Sequence, residues 1–152
     1  MSVFKRVILG ADSAGYVLKE KLKEKLIADG YAVEDMGTDS EASCHYPVFG
    51  SAVAKAVAAA GKDTCGLLIC GTGVGMSIVA NKYKGIRAAC CSDTFSARMT
   101  RAHNDANILC IGARVVGYGL ACDLADVFLS SPFEGGRHQT RIDMIAEIEK
   151  DR

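Results

Sequence analysis

The sequence has no tryptophan, only two prolines and no net charge, with 18 lysines and arginines against 18 aspartates and glutamates. A neutral chain exerts no general attraction on nucleic acid or on a membrane surface, so partners must be sought at local sites. Neither kind of partner is expected. No secretion signal precedes the first apolar run, and no repeat, linker or low-complexity tract interrupts the chain. Seven cysteines (Cys44, Cys65, Cys70, Cys90, Cys91, Cys110 and Cys122) show no Cys-x-x-Cys spacing, and His45, His103 and His138 form no ligand spacing with them. The expectation is a reducing, cytoplasmic setting without metal.

What is present fits one domain over residues 1–152, long enough to bury a core. Hydrophobic residues make up 49% of it and charged residues 24%. Phe4 to Gly10 reads as a strand and Ala11 to Gly15 as the turn after it. From Tyr16 to Asp29, Leu18, Leu22 and Leu26 recur every four residues among lysines and glutamates, which is an amphipathic helix stopped by Gly30. Tyr31 to Met36 alternates as a second strand. After a polar loop, Pro47 opens a helix that Ser51 to Ala60 continues. Gly66 to Ile69 reads as a buried strand, and Gly85 to Cys91 and Ile108 to Ile111 as two more. Ile78 to Lys82, Thr94 to about Ala102, Leu120 to Leu129 and Ile142 to Lys150 read as helices, the second capped by Ser92-Asp93. Alternation of strand and helix with short connections predicts right-handed crossovers and a parallel sheet covered on both faces. Sites in such sheets lie outside the carboxyl ends of the strands, which puts Asp12, Cys70 and Asp93 on one rim.

Cys70 to Ser77 is the stretch around which the chain is organised. A strand that ends at a cysteine and turns through Gly71, Gly73 and Gly75 into a helix aims several backbone N–H groups at one spot, beside the positive end of the helix dipole. That spot suits an anion, and it stabilises the Cys70 thiolate. The expectation is that Cys70 is a base and the turn holds the oxyanion it creates. The alternative is a tight strand-to-helix turn with a small buried cysteine. The glycines have neither the dinucleotide spacing nor a P-loop lysine, so an oxidoreductase reading is poor.

Two further clusters carry chemistry. His103-Asn104-Asp105-Ala106-Asn107 follows the fourth helix, and imidazole gives and takes a proton near neutral pH; otherwise His103 is an exposed loop residue and Asn104 or Asn107 a helix cap. In Glu134-Gly135-Gly136-Arg137-His138-Gln139-Thr140-Arg141, Arg137 and Arg141 share a face if a helix starts there, and two guanidinium forks suit a phosphate. The alternative is a solvated turn in which they pair with Glu134, Asp143 or Glu147. Arg98 and Arg101 read as a wet helix face. Arg114, directly after an apolar strand, needs a partner, either a ligand or another subunit.

These blocks, with Gly10-Ala11-Asp12-Ser13-Ala14-Gly15 and His45-Tyr46-Pro47, resemble in order and over nearly the whole chain the type B ribose-5-phosphate isomerase family, which includes allose- and galactose-6-phosphate isomerases. The resemblance implies a Rossmann-like three-layer αβα sandwich with a five-stranded parallel sheet. It also implies a homodimer or tetramer with shared active sites, and cofactor-free aldose–ketose isomerisation of a sugar phosphate through an enediolate, most simply ribose 5-phosphate to ribulose 5-phosphate. By resemblance Cys70 is the base, with Thr72 beside it. Asp12 and His103 assist ring opening, the Gly71 to Gly75 amides hold the enediolate, and Arg137 and Arg141 bind phosphate. Ser13, Tyr46, Val74 and Ser77 line the pocket. His103, Asn104 and Arg114 would come from the partner subunit. One departure is Ser13, where the family usually carries histidine, so the substrate can differ in length or stereochemistry: a four- or six-carbon sugar phosphate is the alternative. His45 to Gly50 also resembles the galactose-6-phosphate branch. A non-catalytic sugar-phosphate binding protein is the competing class.

Overall fold

A computed structural model describes residues 2–151. Five strands, β1 (Arg6–Ala11), β2 (Ala32–Asp35), β3 (Thr64–Cys70), β4 (Ala88–Cys90) and β5 (Ile108–Gly112), form one parallel sheet in the order β2-β1-β3-β5-β4. Between and after them run α1 (Tyr16–Ala28), α2 (Tyr46–Ala59), α3 (Val74–Ala80), α4 (Thr94–Asn104), α5 (Tyr118–Ser130) and α6 (Arg137–Ile148), with a short 3-10 turn at Glu149–Asp151.

The three layers follow from residue alternation. On β1, Val7, Leu9 and Ala11 face α1, α4 and α5 in one core, while Ile8 faces α2 and α3 in the other. On β3, Cys65, Leu67 and Ile69 join the first core, and Leu68 and Cys70 join Val53, Val57 and Met76 in the second. A strand buried on both faces has to be apolar throughout, which is why β3 is an unbroken apolar run. The αβα sandwich implied by the resemblance is the observed fold.

Several boundaries differ from expectation. α3 begins at Val74, not Ile78, because Gly73 takes a left-handed conformation at φ 79° and completes the turn. α4 extends through His103 and Asn104, which are therefore helical and not loop residues. Its cap is Asp105 at φ 45°, not Asn104 or Asn107. α6 begins at Arg137, well before the expected Ile142, and Ile142 is the residue it buries together with His138. β4 shrinks to Ala88–Cys90, since Gly85 and Arg87 are tied by the Asn107 amide and Ala88 by the Asn81 amide.

Arg101 corrects the wet-face reading. It is 3% exposed, its guanidinium lies 4.7 Å from the centre of the Phe4 ring and 5.7 Å from that of Phe128, and it donates to the Ala106 carbonyl at 2.6 Å while pairing with Asp105. Arg101 is a core strut. Lys19 plays the same part near the end of β1, 1% exposed and paired with Asp35 at 2.5 Å and with Glu20 at 2.7 Å.

Candidate active site

The strand order reverses direction between β1 and β3, and in open α/β sheets the crevice at such a switch is where ligands bind. A close backbone contact shapes it. A Cβ on Gly15 would lie 2.4 Å from the Ile69 carbonyl oxygen, so only glycine lets the β1–α1 turn rest on the end of β3. The turn is fixed further by the Asp12 N–H donating to Ile69 O at 3.3 Å and by Asp12 Oδ1 accepting from the Gly15 N–H at 3.0 Å. Asp12 and Ser13, both half-buried, thus stand beside Cys70.

Cys70 is 5% exposed, and its Sγ accepts the N–H of Gly73 at 3.1 Å. The left-handed Gly73 folds the peptide back onto the sulfur; a Cβ there would lie 2.9 Å from Cys90 Sγ and 3.0 Å from the carbonyl carbon of Ile111. Burial pushes Cys65 and Cys110 well above the ordinary thiol range and Cys91 up to about 11, and desolvation followed by the nearness of Cys70 raises Cys90. Cys90, whose Sγ lies 3.5 Å from the Thr72 carbonyl, is a neighbour of the turn that sequence reasoning misses, since it reads only as the end of an apolar strand.

The rest of the turn is pinned from three sides. Val74 N–H donates to Thr72 Oγ1 at 3.3 Å, and Ser77 Oγ donates to the Val74 carbonyl at 2.8 Å. The first N–H groups of α3 have no intrahelical acceptor and face the crevice end of the helix. Tyr46, at the start of α2, lies against Gly75, where a Cβ would meet its ring at 2.8 Å. The segment after β5 is tied to the turn by Ala113 N–H to Cys70 O at 2.8 Å and by Arg114 N–H to Gly71 O at 3.0 Å. The Arg114 guanidinium therefore covers Gly71 of its own chain, within 3.4 Å of where a Cβ would be. The expectation that Arg114 arrives from a partner is corrected: β5 delivers it to the same rim as Cys70.

The remaining candidates are elsewhere. α4, 11 residues long, starts after the carboxyl end of β4 and returns to the amino end of β5. At about 1.5 Å per residue it covers roughly 16 Å on the way. Its last turn carries His103 and Asn104, and the Glu134 N–H donates to Ala102 O at 3.0 Å, which brings the start of α6 alongside. The His103 and His138 rings stack at 4.2 Å and 9°. Glu134 Oε2 lies 4.0 Å from His103 Nε2 and 3.6 Å from His138 Nε2. Burial, then the neighbouring His103 and Arg137, hold His138 below its ordinary pKa, with Glu134 pulling the other way. Arg137 is exposed at the first turn of α6 and Arg141 one turn further on. Within one chain the thiol and the imidazole thus sit at opposite ends of the sheet.

A shielded thiol that accepts an amide N–H, on the carboxyl rim of a parallel sheet that also carries Asp12 and Arg114, defines the class: an α/β enzyme equipped for proton transfer next to a developing anion. The chain belongs to the ribose/galactose isomerase family, whose model matches residues 7–145. It is an aldose–ketose isomerase. Ribose-5-phosphate isomerase B of Escherichia coli (strain K12) is 47% identical over 148 residues, 97% of this chain and 99% of that protein. Among solved structures, ribose-5-phosphate isomerase B of Clostridium thermocellum superposes with a TM-score of 0.93 at 50% identity, covering 96% of this chain and 98% of the other. The Mycoplasma genitalium ribose-5-phosphate isomerase B with bound ribulose-5-phosphate gives 0.90 at 38% identity, with 97% of each chain covered. Among the described residues no helix is long and apolar enough to cross a membrane.

Proposed function

We propose that the chain, acting as one domain over residues 1–152 in the cytoplasm, interconverts ribose 5-phosphate and ribulose 5-phosphate through an enediolate. The Cys70 thiolate takes the proton from C2 of the open-chain aldose. The electron pair moves onto the carbonyl oxygen, and the N–H groups of Gly71 to Gly75 accept that charge. The proton on O2 passes to O1 within the enediolate, the thiol returns its proton to C1, and the electron pair left on O2 closes the C2 carbonyl, giving the ketose. Both electrons of the formal oxidation stay within the substrate, so the step is balanced without a redox cofactor.

General base catalysis supplies about 10² to 10⁴ in rate, and a single oxyanion donor about 10² to 10³. The observation that carries the reading is the 3.1 Å contact of Gly73 N–H with Cys70 Sγ, because it holds the base against the anion-accepting turn. Asp12 and the partner subunit's His103 open the ring, Thr72 and Ser77 with Tyr46, Ser13 and Val74 line the sugar, and Arg114 of the same chain stands over it. The partner subunit's Asn104, Arg137 and Arg141 hold the phosphate. A homodimer with two shared sites, alone or paired into a tetramer, is the assembly this requires, since Cys70 and His103 of one chain are at opposite ends of the sheet.

The test combines solvent exchange with subunit mixing. In deuterated water Cys70→Ala is expected to stop deuterium entering C1 and C2 while retaining phosphate binding; full exchange would put the base elsewhere. Cys70→Ala and His103→Gln, each inactive, are expected to regain about a quarter of wild-type activity when unfolded, mixed and refolded, because half the dimers are then mixed and each has one intact site. No recovery, with mixed dimers present, would mean that the sites are not shared.

A further inference from the structure

His103, Glu134 and His138 come from three segments and place three donor atoms within 4.8 Å of one another. The set is held by backbone. Gly135 and Gly136, at φ 65° and 56°, turn the chain between Glu134 and α6, the Glu134 N–H is bonded to Ala102 O, and the His138 N–H is bonded to Gly135 O at 3.0 Å. The expectation of no metal set rests only on histidine and cysteine spacing. The signal outside that spacing is Glu134-x-x-x-His138, which puts a carboxylate and an imidazole on one side of a helix start.

We propose that His103, Glu134 and His138 form a three-ligand site for a divalent transition cation of the zinc class. Two imidazoles and one carboxylate are the donor set that zinc takes in open sites, with a fourth position left for water or a ligand. Zinc bonds of about 2.0–2.2 Å in a tetrahedron place donors about 3.3 Å apart. Glu134 Oε2 is already 3.6 Å and 4.0 Å from the two Nε2 atoms, so closure needs sub-ångström shifts there plus a tilt of the His103 ring out of its stack. That ring is 39% exposed and free to tilt, whereas His138 at 6% is the fixed anchor. Arg137 and Arg141 nearby oppose a cation, which keeps the site weaker than a structural zinc site. It is a reversible one. Ion binding stands independently of the isomerase reading; its effect on turnover rests on that reading, because the ion occupies the imidazole assigned to ring opening. Zinc and catalysis exclude one another at this position.

The experiment titrates Zn²⁺ into the intact metal-free protein and follows the imidazole Cε1–H resonances by NMR, with Co²⁺ absorption in parallel. One ion per protomer is expected to move the signals of two of the three histidines and leave His45 unchanged, with cobalt bands of a nitrogen/oxygen set. Glu134→Gln and His138→Gln, checked for native melting, are each expected to weaken binding at least about tenfold. Wild-type protein with no saturable shift of His103 and His138, or a thiolate-to-cobalt charge-transfer band, overturns the proposal. Inhibition of wild type by Zn²⁺, relieved by a chelator, supports it. Binding at both histidines with turnover unchanged keeps the metal site and refutes the role of His103 in ring opening.

Discussion

Gly73→Ala separates the demands that the fold and the chemistry make on one peptide. Gly73 has a left-handed φ of 79°. A residue with a Cβ is strained there by about 1–2 kcal/mol. The added carbon would lie 3.0 Å from the Ile111 carbonyl carbon and 3.2 Å from the Gly112 nitrogen, both backbone atoms of an interior strand that cannot move aside. Such overpacking costs about 1–3 kcal/mol. The 2.9 Å approach to Cys90 Sγ is relieved by rotating that side chain. The sum, about 2–5 kcal/mol, corresponds to a melting-point loss of roughly 5–20 °C for a chain of this length. If the turn swings away, the thiolate also loses its N–H donor, worth about 1.5–3 kcal/mol, or roughly 10- to 100-fold in kcat. Gly71→Ala is the control: its Cβ meets nothing nearer than the exposed Arg114 guanidinium at 3.4 Å, and its φ is not left-handed. It is expected to melt close to wild type. Scanning calorimetry and initial rates on ribose 5-phosphate check both variants. A Gly73→Ala protein that melts within about 1 °C of wild type at full turnover would refute the claim that this geometry is what holds the site.

Arg114→Ala removes an exposed side chain from the rim and is expected to raise KM for phosphorylated substrate about tenfold with little change in melting; an unchanged KM would show that the guanidinium does not face the ligand. Asp35→Asn leaves the buried Lys19 ammonium with Glu20 alone, at an expected cost of about 2–4 kcal/mol after allowance for the partial exposure of Asp35, read from the denaturant midpoint. The same pair sets a pH dependence. Burial raises the Asp35 pKa, but Lys19 and Lys23 outweigh it and bring the net value below the ordinary one. This contribution is complete above about pH 5 and is lost as pH falls from the unfolded carboxyl value through the folded one, and the Asn variant should lack that acid-limb loss. Ser13→His is expected to change the kcat/KM ratio between five-carbon and four- or six-carbon sugar phosphates at least about tenfold. An equal fall for all substrates would remove Ser13 from substrate choice.

The parts of the molecule that are readable in the chain are those that depend on local pattern. β1, β3 and β5 are apolar runs because both faces are covered, and Leu18, Leu22 and Leu26 mark α1 by spacing alone. Asp12 and Cys70 share one rim, as expected, because each follows the last apolar residue of a parallel strand. What depends on direction and on distant neighbours is not readable. Gly75 looks like loop but is helical, since Gly73 finishes the turn. Arg101 looks like a solvated face until Phe4 and Phe128 close over it. Arg114 and His103 look alike as partner residues, yet β5 ends at the Cys70 rim while α4 ends at the other. Glu134 and His103, far apart in sequence, meet only because the α5–α6 connection is bonded to the end of α4.

The floor of the crevice consists of peptide groups pressed together where Gly15 meets Ile69, Gly112 meets Thr72 and Gly73 meets Ile111, the first two closer than a Cβ permits and the third at the limit. Peptide groups carry no side chain for mutation to exchange, and a Cβ at any of these glycines has to press against backbone. Changes of shape at this rim therefore cost least at the walls, at Ser13, Tyr46 and Arg114, whose side chains can be exchanged without moving the backbone beneath.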